Sequence, residues 1–326
     1  MGPDSEQDQG AEIVGQEVAS MIGVSIGIEQ YSAGRGWDLD GPASDAVKIL
    51  QYWRDSGVPK ENLYAFIAPL ETNNTLNDLA QGLACSVLRP DEQDIESFLT
   101  GALAEFSTEL LWIHWGGHGI VSSDGGRRLF TSDAESSNSR NLDLSDLMVT
   151  LRTDRYSGLC KQVFTIDACS NYVLKPDSAL PHRTLAKGDP TAANEQFALL
   201  GASVGEYASN LNADKSGLMF RELLTLLKES PWQPDFSLLA QKIGERFISL
   251  RRQGKASQTP STLWFRDWRG GEQTIADIDD KKVPVASSPV RPTLSASQNA
   301  ELRDAMLRVA MMKTGCNLNS WQAINN

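Results

Sequence analysis

Apolar residues in this chain gather into short runs that stop abruptly at small or polar residues, and these runs alternate with stretches of helical spacing. Residues 21–28 (MIGVSIGI), 63–67 (LYAFI), 109–114 (ELLWIH) and 162–167 (QVFTID) are four such runs. Each is too short for a helix and lacks the polar alternation of a half-exposed strand, which suits strands buried on both faces of a parallel sheet. Between the first two, Ala46, Ile49, Leu50 and Trp53 recur at helical spacing behind the start signal Gly41-Pro42-Ala43-Ser44, so a helix is expected over 45–55. Residues 91–106 predict a second helix, opened by Pro90-Asp91 and acidic in its first turn, as the helix dipole prefers. A third is expected over 144–151. Beyond these, 197–204 reads as a fifth strand, 216–229 and 235–252 as amphipathic helices, and 262–265 as a last strand. This alternation predicts an α/β fold, a three-layer sandwich with a mostly parallel central sheet of about six strands flanked by helices. The first β–helix–β unit predicts a right-handed crossover.

Other stretches lack periodicity. Residues 1–19 read as a polar, flexible lead. Residues 122–141, rich in Ser, Asp, Gly and Asn, read as a long surface excursion with a small hairpin at Arg128–Thr131. Residues 170–193 have little pattern, and a structureless loop of that length in a compact domain is functional or disordered. Residues 270–294 have linker composition, and 295–326 are expected to be a C-terminal helical extension with Leu302, Met306, Leu307 and Ala310 on one face. One main domain over 20–269 remains.

The chemistry is expected just past two neighbouring strands, where LLWIHWGGHGI delivers His118 and QVFTIDACSNY delivers Cys169. Loops at the carboxyl edge of a parallel sheet are where α/β proteins place their reactive groups. A thiol and an imidazole brought together there make a nucleophile with its base. Only three histidines are present, and His118, set between Gly117 and Gly119, is the candidate base. His182 sits in the irregular loop with nothing around it that points to chemistry. His114, inside its strand, is expected as a satisfied core imidazole. Free cysteines also pack as small hydrophobes, but the strand-end position beside Asp167 favours the reactive reading of Cys169.

A strand ending in H-G followed by a later strand ending in D-x-C resembles the caspase-like cysteine peptidases, closest to metacaspases and bacterial caspase homologues. The resemblance covers roughly residues 20–268. It implies the caspase-like sandwich, with the histidine after the third strand and the cysteine after the fourth. It further implies endopeptidase chemistry through a thioester, with the backbone N–H groups of Gly119 and Cys169 facing the oxyanion. Asp167 matches the acidic residue of D-x-C that selects Arg or Lys at P1, the residue before the cleaved bond. Its plainer role is to hold loop amides. Asp45 resembles a second acid of that pocket, or else simply starts a helix, and Glu206 is a weaker third substrate contact. No third member of a triad is visible. A zymogen or partner-activated enzyme, an upstream activating protease or adaptor, and a place in a bacterial defence or stress cascade are implied as context. A catalytically idle regulatory scaffold on the same fold is the alternative, and a Cys–His amidase for small molecules a third.

Composition narrows the partners. Of 326 residues, 40% are hydrophobic, as in an ordinary globular enzyme. No apolar run approaches the roughly 18 residues of a membrane span, and the polar start lacks the features of a secretory signal, so a cytoplasmic protein is expected. A net charge of −12 without clustered Lys and Arg argues against nucleic acid and for basic protein segments as partners. The four cysteines show no metal-binding spacing, and His114 and His118 are not on a helix with the Glu of an HExxH site, so no metal or other cofactor is expected. Some metacaspases need calcium, but Asp124, Asp133 and Glu135 do not have the spacing of a recognisable site.

Overall fold

Gly27 sets how closely the first helix approaches the sheet. It lies in β1 (Met21–Ile28), and a Cβ there would come 2.4 Å from the Pro42 carbonyl oxygen. Its missing side chain lets α1 (Pro42–Asp55) rest its first turn on the strand. The computed structural model describes residues 20–122, 125–171, 184, 185, 187–189, 191, 194–211, 215–232, 234–265 and 273–274. All of them belong to the unit that ends at Asp277.

After α1 come β2 (Leu63–Ala68), α2 (Thr75–Leu83), β3 (Ser86–Leu88), α3 (Glu92–Thr100), β4 (Thr108–Gly117), β5 (Gly119–Val121), β6 (Arg127–Phe130) and β7 (Asn141–Asp143). The chain continues through α4 (Leu144–Leu151), β8 (Leu159–Ala168), β9 (Glu195–Leu200), β10 (Asn210–Leu211) and β11 (Ser216–Gly217). It closes with α5 (Leu218–Lys228), α6 (Phe236–Arg252), β12 (Ser261–Phe265) and β13 (Gln273–Thr274). The main sheet has eight strands in the order β13-β12-β9-β8-β4-β1-β2-β3. Neighbours from β9 to β3 run parallel, while β12 and β13 are antiparallel additions at one edge.

Alternate residues of the central strands feed two separate cores, as the period of two requires. On one face Ile113, Trp115 and Phe164 pack against Ile95 and Leu99 of α3 and Leu147 and Leu151 of α4. On the other, Trp112, Val163 and Phe197 meet Trp53 of α1, Phe220 and Leu223 of α5, and Ile243 and Phe247 of α6. The expected α/β sandwich is therefore present. No described helix is long and apolar enough to cross a membrane.

Several expectations are corrected. The sheet gains β3, a three-residue strand too short to register as a pattern, and β13, which falls inside the segment expected to be a linker. With β3 counted, His118 follows the fourth strand of the main sheet and Cys169 the fifth. The helix expected over 91–106 stops at Thr100, where Gly101 donates its N–H to Ser97, and a separate 3-10 turn follows at Ala102–Glu105. The strand expected over 197–204 ends at Leu200. The excursion at 122–141 contributes strands to a three-stranded antiparallel sheet, β5-β6-β7, and much of it is buried. Its polar residues go inside because they are paired: Arg128, 2% exposed, meets Asp143 at 2.5 Å, and Asp143 caps α4 through Ser145 and Asp146. Within 170–193, the described Leu185 donates its N–H to Asp146 of α4 at 2.7 Å, and Asp189 donates to Asp154 at 2.9 Å. The lead at 1–19, the rest of the expected linker and the C-terminal helix lie outside the described residues.

Candidate active site

β4 and β8 are adjacent and parallel, in a register that pairs His114 with Thr165, Gly116 with Asp167 and Gly117 with Ala168. His118 and Cys169 consequently leave neighbouring strands at the same level. Both line a cavity of about 90 Å³ at the carboxyl edge, together with His114, Asp45, Asp167 and Gly217.

His118 is held by a loop that runs from the end of β1 to α1. Its Nε2 lies 2.8 Å from the Trp37 carbonyl oxygen, and its backbone N–H donates to Tyr31 Oη at 2.8 Å. A carbonyl can only accept, so Nε2 carries the ring proton of the neutral imidazole and Nδ1 keeps its lone pair. The Tyr31 ring sits 4.9 Å from the imidazole centroid, and Trp37 meets it edge-on at 5.6 Å. Glu29, fully buried, fixes the loop at both ends: its Oε1 accepts the Gly41 N–H at 2.9 Å, and Oε2 accepts the Leu70 N–H at 3.0 Å and Asn73 Nδ2 at 2.9 Å. Tyr31, Trp37 and Glu29 escaped sequence reasoning. The available signal was two aromatic residues in a glycine-rich stretch directly after a core strand.

Burial moves both members of the pair toward neutrality. It lowers the His118 pKa against the hydrogen bond that Nε2 donates to the Trp37 carbonyl, and it raises that of Cys169, with a backbone hydrogen bond at Ala208 opposing the rise and Asp167 adding to it. The Cys169 Sγ lies 3.8 Å from the Ala208 carbonyl oxygen. In this arrangement the pair rests as a thiol beside a neutral imidazole.

Two carboxyls occupy the cavity. Asp45, in the first turn of α1, accepts the Gly217 N–H at 2.7 Å through Oδ2 and Lys48 Nζ at 3.0 Å through Oδ1. Asp167 accepts the Phe220 N–H at 2.9 Å through Oδ2. Desolvation raises Asp45 to about 6, with Lys48 opposing it, and raises Asp167 to about 7, with the Phe220 N–H opposing and Asp45 adding to the rise. Gly217 makes the approach of these groups possible, since a Cβ there would fall 2.0 Å from Asp167 Oδ2.

Other sequence candidates lie elsewhere. Gly119 opens β5 beside the backbone of Cys169, where a Cβ would meet the Cys169 carbonyl oxygen at 2.8 Å. Glu206 is not in the cavity; its carboxylate accepts the Thr259 N–H at 2.6 Å and the Thr259 hydroxyl at 3.0 Å, fastening two loops. His114 is buried as expected but is not satisfied, because its Nε2 has no hydrogen-bond partner among the described residues. Asp133 is bound to Thr131 at 2.6 Å and Arg140 at 2.8 Å, while Asp124 and His182 lie outside the described residues. Among the described residues no three His, Cys, Asp or Glu side chains come together as a metal site.

Fold and cavity define a mixed α/β protein whose helix-flanked, mostly parallel sheet carries a thiol and an imidazole at its carboxyl edge. No family model matches the sequence, and no curated protein matches it. Among solved structures it is similar to protein GSU0716 from Geobacter sulfurreducens, at 11% identity over 76% of this chain and 92% of that one, with a TM-score of 0.51. Caspase-1 from Spodoptera frugiperda matches at 11% identity over 75% of this chain and 86% of its own, with a TM-score of 0.48. At such identities the first likeness extends to the fold alone.

Proposed function

We propose that this chain is a cysteine endopeptidase that cleaves protein substrates after Arg or Lys. One observation carries the reading: His118, its Nε2 committed to Trp37, shares a cavity with Cys169 and two carboxyls. The Cys169 thiol gives its proton to His118 Nδ1 as sulfur attacks the scissile carbonyl carbon. The negative charge that gathers on the carbonyl oxygen is met by the backbone N–H groups of Gly119 and Cys169. His118 then passes its proton to the leaving amine, the C–N bond breaks, and a thioester remains. Water, deprotonated by the same imidazole, hydrolyses the thioester and restores the thiol.

Asp167 and Asp45 supply the preference for a basic side chain, since a buried carboxylate meeting a cation forms a charge-assisted hydrogen bond. The neutral resting pair supports a protein held back until cleavage or a partner activates it, as a member of a defence or stress cascade would be. The acidic surface favours basic protein segments as substrates.

The test is a panel of fluorogenic peptides differing only at P1, with Arg, Lys, Asp or Leu. Cleavage of the Arg and Lys peptides by wild type, abolished by Cys169→Ala and by His118→Ala, is the expected result. Cleavage after Asp would keep the peptidase and remove the role given to Asp167. Silence toward every peptide, before and after limited proteolysis within 170–193, would leave the idle scaffold instead.

A further inference from the structure

The cavity contains an imidazole that the cleavage chemistry does not use. His114 lies on β4, four residues before His118, and is fully buried. Its Nδ1 is 3.1 Å from Thr165 Oγ1 on the neighbouring strand, and its ring centroid is 4.8 Å from that of Phe220 on α5. Thr165 Oγ1 also takes the Trp112 Nε1–H at 3.2 Å, so the ring is fixed on two sides. Burial pulls its pKa down to about 3, which leaves the imidazole neutral, with one proton and one lone pair to place. Its Nε2 is buried without a partner among the described residues, although His114 lines the same cavity as Asp45 and Asp167. Buried polar atoms are nearly always satisfied, and one left open beside a binding cavity points to a ligand.

The neighbouring acid has a matching vacancy in its bonding. Asp167 Oδ2 is taken by Phe220, and Oδ1 has no hydrogen bond among the described residues. Both oxygens of Asp45 are taken, by Lys48 and Gly217. One carboxyl oxygen and one neutral nitrogen therefore remain for whatever enters.

We propose that His114 is a specificity-determining residue that selects Arg over Lys at P1, its Nε2 accepting one guanidinium N–H while Asp167 Oδ1 accepts another. The proposal rests on the basic-P1 reading above. Binding fixes the imidazole proton on Nδ1, facing Thr165. A guanidinium spreads five N–H groups over a rigid plane and can serve two separated acceptors at once. It is also more weakly hydrated than an ammonium, so it enters a cavity lined by a neutral imidazole more readily. A lysine ammonium concentrates its donors on one nitrogen, and contact with Asp167 leaves His114 Nε2 unsatisfied.

The experiment uses the full chain and two peptides identical except for Arg or Lys at P1. His114→Phe keeps a ring against Phe220 and removes both nitrogens. The ratio of kcat/KM for Arg over Lys is expected to fall by roughly tenfold, with the loss in KM for the Arg peptide. A ratio within twofold of wild type in a folded variant overturns the proposal and leaves the peptidase reading standing. A second measurement needs neither the variant nor turnover: the ¹⁵N resonance of His114 Nε2 is followed as arginine amide is added to Cys169→Ala. A saturable shift, absent with lysine amide, supports the assignment even where no peptide is cleaved. An unmoved resonance at saturating arginine amide overturns it.

Discussion

The Trp37 carbonyl oxygen and His118 Nε2 lie 2.8 Å apart, and this one contact decides which imidazole nitrogen is free to act as a base. The contact comes from backbone, so its persistence depends on the loop that carries Trp37 rather than on the tryptophan side chain.

Glu29 therefore has an effect on a histidine it does not touch. Glu29→Ala takes the acceptor from the buried Gly41 N–H and the half-buried Leu70 N–H, and leaves Asn73 Nδ2 with Asp40 alone. Stability is expected to fall by about 3 kcal/mol, a drop in Tm on the order of 10 °C, measured by thermal unfolding. Below the new Tm, kcat falls more than KM rises, because Trp37 no longer holds the His118 ring. An unchanged Tm would mean that loop 29–41 is fixed by other contacts.

Gly217→Ala is expected to disable the cavity while sparing the fold. The added carbon would meet Asp167 Oδ2 at 2.0 Å, so the carboxyl must swing away. Cleavage after Arg and Lys should fall by about a hundredfold, as for a loss of about 2.7 kcal/mol of binding in the transition state. Far-ultraviolet circular dichroism should stay unchanged, and retained cleavage would show that Asp167 is not needed there.

Asp167 also leaves a signature in stability. Its pKa is raised from the ordinary carboxylate range to about 7, chiefly by desolvation. Between the unfolded value of about 4 and that of the folded state, the folded chain holds the extra proton. Stability from this group is thus fullest at low pH and is lost as pH rises toward 7. Wild type should lose stability relative to Asp167→Asn across that window and run parallel to it above. Denaturant midpoints at several pH values test this, and parallel curves throughout would contradict it.

The cysteines should react in a defined order. Cys85 and Cys160 are exposed, whereas Cys169 is half-buried with its thiol pushed up by burial. Brief iodoacetamide treatment at neutral pH should alkylate Cys85 and Cys160 first, and Cys169 should catch up as pH rises, because the thiolate is the nucleophile. Peptide mapping by mass spectrometry reads the order. Fast labelling of Cys169 at neutral pH would indicate a thiolate already formed beside His118.

The middle of the sheet was legible because strands buried on both faces cannot hide their composition, and the two strand ends then fixed the positions of His118 and Cys169. The third partner of the pair was not, because the Trp37 carbonyl is a backbone atom and carries no residue-type signal. Residues 122–141 misled because Arg128 and Asp143 look solvent-exposed until each is seen to neutralise the other. Ser86–Leu88 was missed because three residues establish no period. His114 was read correctly as buried, but its empty Nε2 depends on Thr165 and Phe220, brought in from a different strand and a helix.

In the strand order β13-β12-β9-β8-β4-β1-β2-β3, the two strands that deliver His118 and Cys169 stand fourth and fifth of eight. Sheets fray from their edges inward, and amides on central strands exchange with solvent only through the rarest openings. Thermal breathing can loosen β3 or β13 many times before it separates β4 from β8. The strand ends that carry thiol and imidazole thus belong to the longest-lived part of the molecule.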